Sequence, residues 1–201
     1  MASLPQPRTE YPDRVRLPLA FDAARLAADL AALDDGDWVA HFVEQHYEGD
    51  WSALPLRAPA GATHPIQMIA SPPDATDFID TVFLARTPYF AEVIAAFRCP
   101  VMSVRLMRLT PGSVIREHQD HDLTAEQGVA RVHVPVATNP GVEFQLNHRP
   151  VTMLPGEAWY LRLADPHSVT NRGDADRVHL VLDVEVDAWM AAQLESGAAS
   201  S

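Results

Sequence analysis

From residue 101 onward the chain alternates in twos. In ARVHVPV, Val132, Val134 and Val136 fall on one side, and Arg131, His133 and Pro135 on the other. RVHLVLDV repeats the pattern, setting Val178, Leu180, Leu182 and Val184 against Arg177, His179, Val181 and Asp183. In VMSVRLMRL, Met102, Val104 and Leu106 oppose Ser103, Arg105 and Met107, with Arg108 breaking the pattern. Successive side chains of a strand point to opposite faces, so a period of two marks strands that bury one apolar face. The turn signals PG, NPG, HRP, PGE and RGDAD separate these runs from the shorter ones SVI, VEFQLN, VTML, AWYLRL and ADPHSVTN. Short strands at such regular spacing predict a β-sandwich or barrel.

The second face is unusual. An antiparallel sheet often leaves one face in water, but a wet face normally carries Lys, Glu, Thr and Ser. These runs hold no lysine and repeat Arg-Val-His. Arginine suits bidentate carboxylate recognition, and histidine serves as donor, acid or ligand. The polar faces therefore read as the lining of a cavity for a small carboxylate. A formal net charge of −12, with 15 Lys+Arg against 27 Asp+Glu, repels polyanions, so nucleic acid is not an expected partner.

Ahead of the strands, two segments carry helical periodicity. Residues 22–34 place Leu26, Leu30 and Leu33 on one face behind an Asp22 N-cap, and residues 87–97 offer Thr87 as N-cap, Pro88 at the first helical position and a stripe of Phe90, Val93, Ile94 and Phe97. These helices are expected to cover one sheet face. The intervening HFVEQHYEGDWSALPLRAPAG mixes strand-like pieces with turns. A chain of 201 residues suits one domain, divided here into a flexible N-terminal arm (1–16), a single domain (17–190) with its strand-rich core at about 100–187, and a tail (191–201). No apolar run approaches the ~20 residues of a membrane span, and MASLPQPRTEYPDR lacks a signal-peptide apolar region, so a cytoplasmic location is expected. Cys99 is the only cysteine, which leaves nitrogen and oxygen ligands for any metal.

IREHQDHDL, residues 115–123, supplies such ligands. His118 and Asp120, two apart on an expected strand, share a side, and His167 in ADPHSV starts a late β run. Two histidines and a carboxylate form the facial triad of non-haem Fe(II) oxygenases, which leaves three positions open. On spacing alone, a solvated turn crowded by His121 and Asp122 is the competing reading.

Across residues 101–187, LMRLTPGSVIREHQD, ARVHVPVATN, PGEAWYLRLADPHSV and DRVHLVLDVEV resemble, in order, the aspartyl/asparaginyl β-hydroxylase family of Fe(II)- and 2-oxoglutarate-dependent dioxygenases. YEGDWSALPLR more faintly resembles its relatives among the bacterial proline hydroxylases. The resemblance implies a mainly β fold, a double-stranded β-helix (jelly-roll, cupin-like) barrel with N-terminal helices packed on one sheet. It implies that His118, Asp120 and His167 hold Fe(II), that Arg177 grips the distal carboxylate of 2-oxoglutarate, and that Arg131 and His133 lie near its metal-bound end, with O2 as oxidant. Met107 stands where animal members carry a serine contacting that distal carboxylate, and His179 is the expected substitute. The retained Asp120 argues against halogenation.

The implied reaction is hydroxylation of an unactivated carbon of an amino acid, either free or as an Asp/Asn residue in a peptide. Arg105 is the candidate partner of a substrate carboxylate, and Trp51 and Trp159 are candidate pocket walls, with core packing as the alternative for both tryptophans. His41, His46, His64 and His148 show no partner spacing and read as surface or core histidines; Arg116 reads as an exposed charge, and His121 and Asp122 as groups behind the ligands or in solvent. Two other classes compete: a metal-dependent cupin isomerase or hydrolase, which has no need of Arg177, and a metal-free barrel holding a carboxylate or peptide through Arg105, Arg131 and Arg177.

Overall fold

The computed structural model describes residues 11–70, 75–121 and 123–199. In chain order the strands are β1 (Arg14–Ala20), β2 (Val39–Ala40), β3 (Tyr47–Glu48), β4 (Trp51–Pro59), β5 (Phe78–Asp80), β6 (Val101–Leu109), β7 (Val114–His118), β8 (Val129–Ala137), β9 (Val142–Leu146), β10 (Arg149–Pro150), β11 (Glu157–Leu161), β12 (His167–Asn171), β13 (Arg177–Glu185) and β14 (Ala198–Ala199). The helices are α1 (Ala23–Ala31), α2 (Pro65–Ile69), α3 (Pro88–Ala95) and α4 (Ala188–Ser196). None of the described helices is long and apolar enough to cross a membrane.

Two antiparallel sheets form the expected double-stranded β-helix. The larger runs β14-β1-β11-β8-β13-β6-β4-β2 with β5 beside β4, and the smaller runs β10-β9-β12-β7-β3. The strand faces divide as the alternation requires. Val104, Leu106, Val132, Val134, Val136, Leu180 and Leu182 point outward from the barrel into a core completed by Leu26 of α1 and by Phe90, Val93 and Phe97 on and just after α3. The helices thus cover the outer face of the larger sheet. The opposite face, together with the smaller sheet, encloses a second cluster that includes Met107, Leu109, Phe144, Leu146, Trp159, Leu161 and Val181, and the arginine-bearing positions face this interior.

Local chemistry sets the helix starts. The Asp22 carboxylate accepts from the backbone N–H groups of Ala24 and Arg25, as an N-cap should. Thr87 precedes Pro88 at the start of α3, but its hydroxyl donates back to the carbonyls of Phe83 and Leu84 rather than capping the helix. Pro55 sits inside β4 beside a break in register with β6, where a missing N–H costs the sheet little.

Several boundaries differ from expectation. Within the expected arm, residues 1–10 lie outside the described residues, whereas Arg14, Val15 and Arg16 pair with Leu161, Tyr160 and Trp159. Val15 is fully buried in the outer core, so apolar packing anchors this segment. At the other end α4 runs to Ser196 and buries Met190 and Leu194, past the expected boundary at 190. VTML forms no strand; Val151 and Met153 fill the barrel interior instead.

Candidate metal centre

His118 is the last residue of β7 and pairs in register with His167, the first residue of β12. Antiparallel pairing therefore brings together two histidines 49 positions apart in sequence, with ring centroids 4.2 Å apart. Asp120 is not strand-borne as expected. It lies in the loop just after β7, where its backbone N–H donates to the Leu163 carbonyl, and this turns its carboxylate back toward the rings. One nitrogen from each histidine and one Asp120 oxygen all lie within 4.8 Å of one another.

The hydrogen bonds fit this set to a metal. The Nδ1 atoms of His118 and His167 lie 2.8 Å and 3.0 Å from the carbonyl oxygens of Arg116 and Asp165. A carbonyl only accepts, so both rings carry their proton on Nδ1 and present an Nε2 lone pair. Burial holds the His167 pKa down at about 4, with help from neighbouring His118, so the ring stays neutral. Two neutral imidazoles and a carboxylate suit Fe(II).

Behind the ligands lies an ion network that the strand pattern did not reveal. Asp183, almost fully buried, accepts from Arg131 Nε (2.6 Å) and Nη2 (2.9 Å), and from Arg105 Nη2 (3.1 Å). The remaining Arg131 nitrogen, Nη1, donates to Asp120 Oδ2 at 3.2 Å. Burial opposes the Arg131 charge, but Asp183 and Asp120 outweigh it and raise its pKa. Arg131 therefore braces the Asp120 carboxylate, and Arg105, expected to await a substrate, already shares Asp183.

Arg177 differs. It is buried at the start of β13 without an ion-pair partner among the described residues, and burial lowers its pKa to about 9. Its side-chain hydrogen bond is to His179 Nδ1 at 2.9 Å, and its guanidinium carbon stands 6.0 Å from the centre of the Phe144 ring. That ring is also parallel to His167 at 6.3 Å.

The three ligands, with Arg105, Arg131, Arg177 and Phe144, line a cavity of about 280 Å³, shared with Trp51, Met107, His41 and His46. Among the described residues, the buried side-chain nitrogens and oxygens without a partner are Trp51 Nε1, His133 Nε2 and Arg177 Nε, and all three belong to cavity-lining residues. Buried polar atoms are seldom left unsatisfied in a finished fold, so the cavity has the character of a ligand site.

Of the expected pocket walls, Trp51 lines the cavity, with the His41 ring stacked 3.5 Å from it. Trp159 does not. It pairs with His133 across β11 and β8, but its indole N–H donates to Glu157 and its ring packs in the barrel-interior cluster outside the cavity lining. His41 and His46, which show no partner spacing, also line the cavity. Both come from the segment without clear periodicity, and His46 stands 4.8 Å from the His118 ring. Burial pushes the His41 pKa down to about 3, with Arg105 and Arg131 adding to it. Phe144 gave no signal beyond apolar alternation. Arg116 is exposed and paired with Glu48, as expected; His121 borders the cavity, and Asp122 lies outside the described residues.

Comparison with known proteins agrees with this geometry. Residues 21–186 match the family model described as aspartyl/asparaginyl beta-hydroxylase. The chain is 29% identical over 174 residues to L-proline cis-4-hydroxylase of Rhizobium meliloti (strain 1021), covering 84% of this chain and 59% of that protein. It therefore spans less than two thirds of that relative's length. Among solved structures, an oxidoreductase of the 2OG-Fe(II) oxygenase family from Burkholderia pseudomallei superposes with a TM-score of 0.53 at 18% identity, covering 86% of this chain and 85% of that one. A Pseudomonas putida prolyl-4-hydroxylase gives 0.53 at 11% identity, covering 87% and 92%. At these identities the structures attest the shared barrel. With the family model spanning most of the sequence, the chain belongs to the aspartyl/asparaginyl β-hydroxylase family of Fe(II)- and 2-oxoglutarate-dependent hydroxylases.

Proposed function

We propose that the chain hydroxylates an unactivated carbon of a small, carboxylate-bearing amino acid, consuming 2-oxoglutarate and O2 and releasing succinate and CO2. One oxygen atom goes to the substrate C–H and the other to succinate, so the reaction balances without a further reductant. The observation that carries this reading is the pairing of a His118, Asp120 and His167 ligand set with Arg177, a buried cation in the same cavity that lacks an ion-pair partner among the described residues.

His118, Asp120 and His167 would hold Fe(II), which when bound supplies O2 activation and the oxidising power that no side chain has. Arg177 receives the distal carboxylate of 2-oxoglutarate, an interaction strengthened by exclusion of water. Arg131 keeps Asp120 oriented, and His133 borders the inner end of the co-substrate site. Met107, Phe144, Val169 and Leu163 give the cavity dry walls.

Volume favours a free amino acid. At about 280 Å³ the cavity lies at the small end of ligand sites. Trp51, with its unpartnered N–H, forms the substrate-side wall.

The test is incubation with Fe(II), 2-oxoglutarate and 18O2 over panels of free amino acids and of Asp- and Asn-containing peptides. Mass spectrometry should find one labelled oxygen in a free amino acid, with matching succinate. Label only in peptides would replace the substrate assignment, and no substrate-linked succinate from metal-loaded protein would refute the reaction.

A further inference from the structure

Arg177 stands between two hollows. It borders the cavity lined by His118, Asp120 and His167 and also, with His179, a second cavity of about 490 Å³. A long side chain flanked by open space is not immobilised by packing, and fixing it at the moment of binding costs conformational entropy. Something else must hold the guanidinium.

His179 is placed to do so. It lies two residues along β13, on the same face, with 2% of its surface exposed. Arg177 Nη2 is 2.9 Å from His179 Nδ1, and His133 Nδ1 is 3.3 Å from the same atom. Arginine has no acceptor, so His179 Nδ1 must be the lone pair. His133 Nδ1, facing that lone pair, then carries its proton. Across the sheet His179 faces Met107, whose thioether is only a weak acceptor, so the Arg177 anchor comes from its own strand.

The nature of the acceptor matters. A carboxylate here would hold Arg177 equally firmly but cancel its charge, as Asp183 does for Arg131. A neutral imidazole fixes the direction of the guanidinium and leaves its full charge for a ligand. We infer that His179 is a positioning residue for the co-substrate site: its neutral Nδ1 fixes Arg177 against the second cavity and so sets the selectivity of the pocket for a 2-oxo acid with a distal carboxylate. His179 thus acts through Arg177, whereas the sequence suggested a direct contact with that carboxylate.

This inference rests on the reading of the cavity as a 2-oxoglutarate site, and the test separates the two. Isothermal titration of Mn(II)-loaded protein measures 2-oxoglutarate against 2-oxobutyrate, which keeps the chelating 2-oxo acid but lacks the distal carboxylate. His179→Leu should weaken 2-oxoglutarate about 10- to 100-fold, the worth of one hydrogen bond to a charged group, while 2-oxobutyrate changes less than about twofold. His179→Asn, a neutral acceptor, should stay within about threefold of wild type, and His179→Asp should be at least as weak as the leucine variant. Unchanged selectivity in His179→Leu would overturn the inference. Should that variant fail to fold, equal 2-oxoglutarate binding by His179→Asn and His179→Asp would overturn it. A wild type that prefers neither acid, or an Arg177→Ala variant that keeps the preference, would instead remove the co-substrate reading itself.

Discussion

Asp183 is the residue on which the charged half of the site depends, and Asp183→Asn is the most informative single change. Its carboxylate, about 1% exposed, balances Arg131 and Arg105, whose side chains are 10% and 6% exposed. Removing one partner of a buried ion pair costs about 3–5 kcal/mol, because the remaining charge is left in a medium that solvates it poorly. Asparagine keeps one acceptor oxygen, which places the expected loss near the lower end, about 3 kcal/mol. For a domain of this size each kcal/mol moves the melting temperature by about 2–4 °C, so the metal-free variant should melt roughly 6–12 °C lower. Scanning calorimetry on metal-free protein at neutral pH measures this directly. A second effect follows from Arg131 Nη1, which braces Asp120 at 3.2 Å: a loosened Arg131 should weaken metal binding by about 10- to 100-fold. Adding Arg105→Met should recover part of the stability, since one buried cation is then removed with the anion. Melting within about 2 °C of wild type, with unchanged metal affinity, would refute the network as the organiser of the site.

Other consequences follow from the same geometry. Burial depresses the pKa values of His41 (about 3), His167 (about 4), His133 and His179 below the unfolded value. Above pH ~6.5 neither folded nor unfolded chain protonates them, and stability is intact; below it the unfolded chain takes up protons that the folded chain refuses. Metal-free protein should therefore lose stability on acidification from pH ~6.5, by up to about 2 kcal/mol at pH 5 for each histidine still neutral in the fold, read by urea titration at several pH values; a flat profile would contradict the assigned burial. Trp159→Phe should leave the Michaelis constants within about twofold, because its ring lies outside the cavity, whereas Trp51→Phe should raise that of the substrate; steady-state kinetics decide. Gly49, at φ +83°, turns the chain into β4 where an added Cβ would collide with Ser113, so Gly49→Ala should destabilise by at least ~1 kcal/mol through backbone strain and the clash, measured by thermal unfolding.

What the sequence disclosed divides along physical lines. Period-two alternation is a local property, so the outer core, the inward arginines and the position of His167 at the head of β12 were legible in ARVHVPV, RVHLVLDV and ADPHSV. Pairing is not local. Asp183 appeared in the pattern as one more polar position, and only the register of β13 between β6 and β8 gives it Arg105 and Arg131 as partners. Trp159 shows the same limit: alternation gives its face but not its distance from the metal ligands. Arg14–Arg16 fall in the expected arm because the segment before them is rich in proline and charge, and pairing with β11 fixes them instead. His41 and His46 escaped notice because aperiodic chain carries no information about where its side chains meet.

The proposed reaction requires one cavity to hold both the metal ligands and the carboxylate receptor. Anaerobic titration of Fe(II) with 2-oxoglutarate tests it most directly, through the weak visible charge-transfer band of a chelated 2-oxo acid. Wild type should develop the band at stoichiometric metal, His118→Ala should lose it, and Arg177→Ala should need much more 2-oxoglutarate to reach it. No band in metal-loaded wild type, or a band indifferent to Arg177→Ala, would rule out a shared site for the metal and the co-substrate.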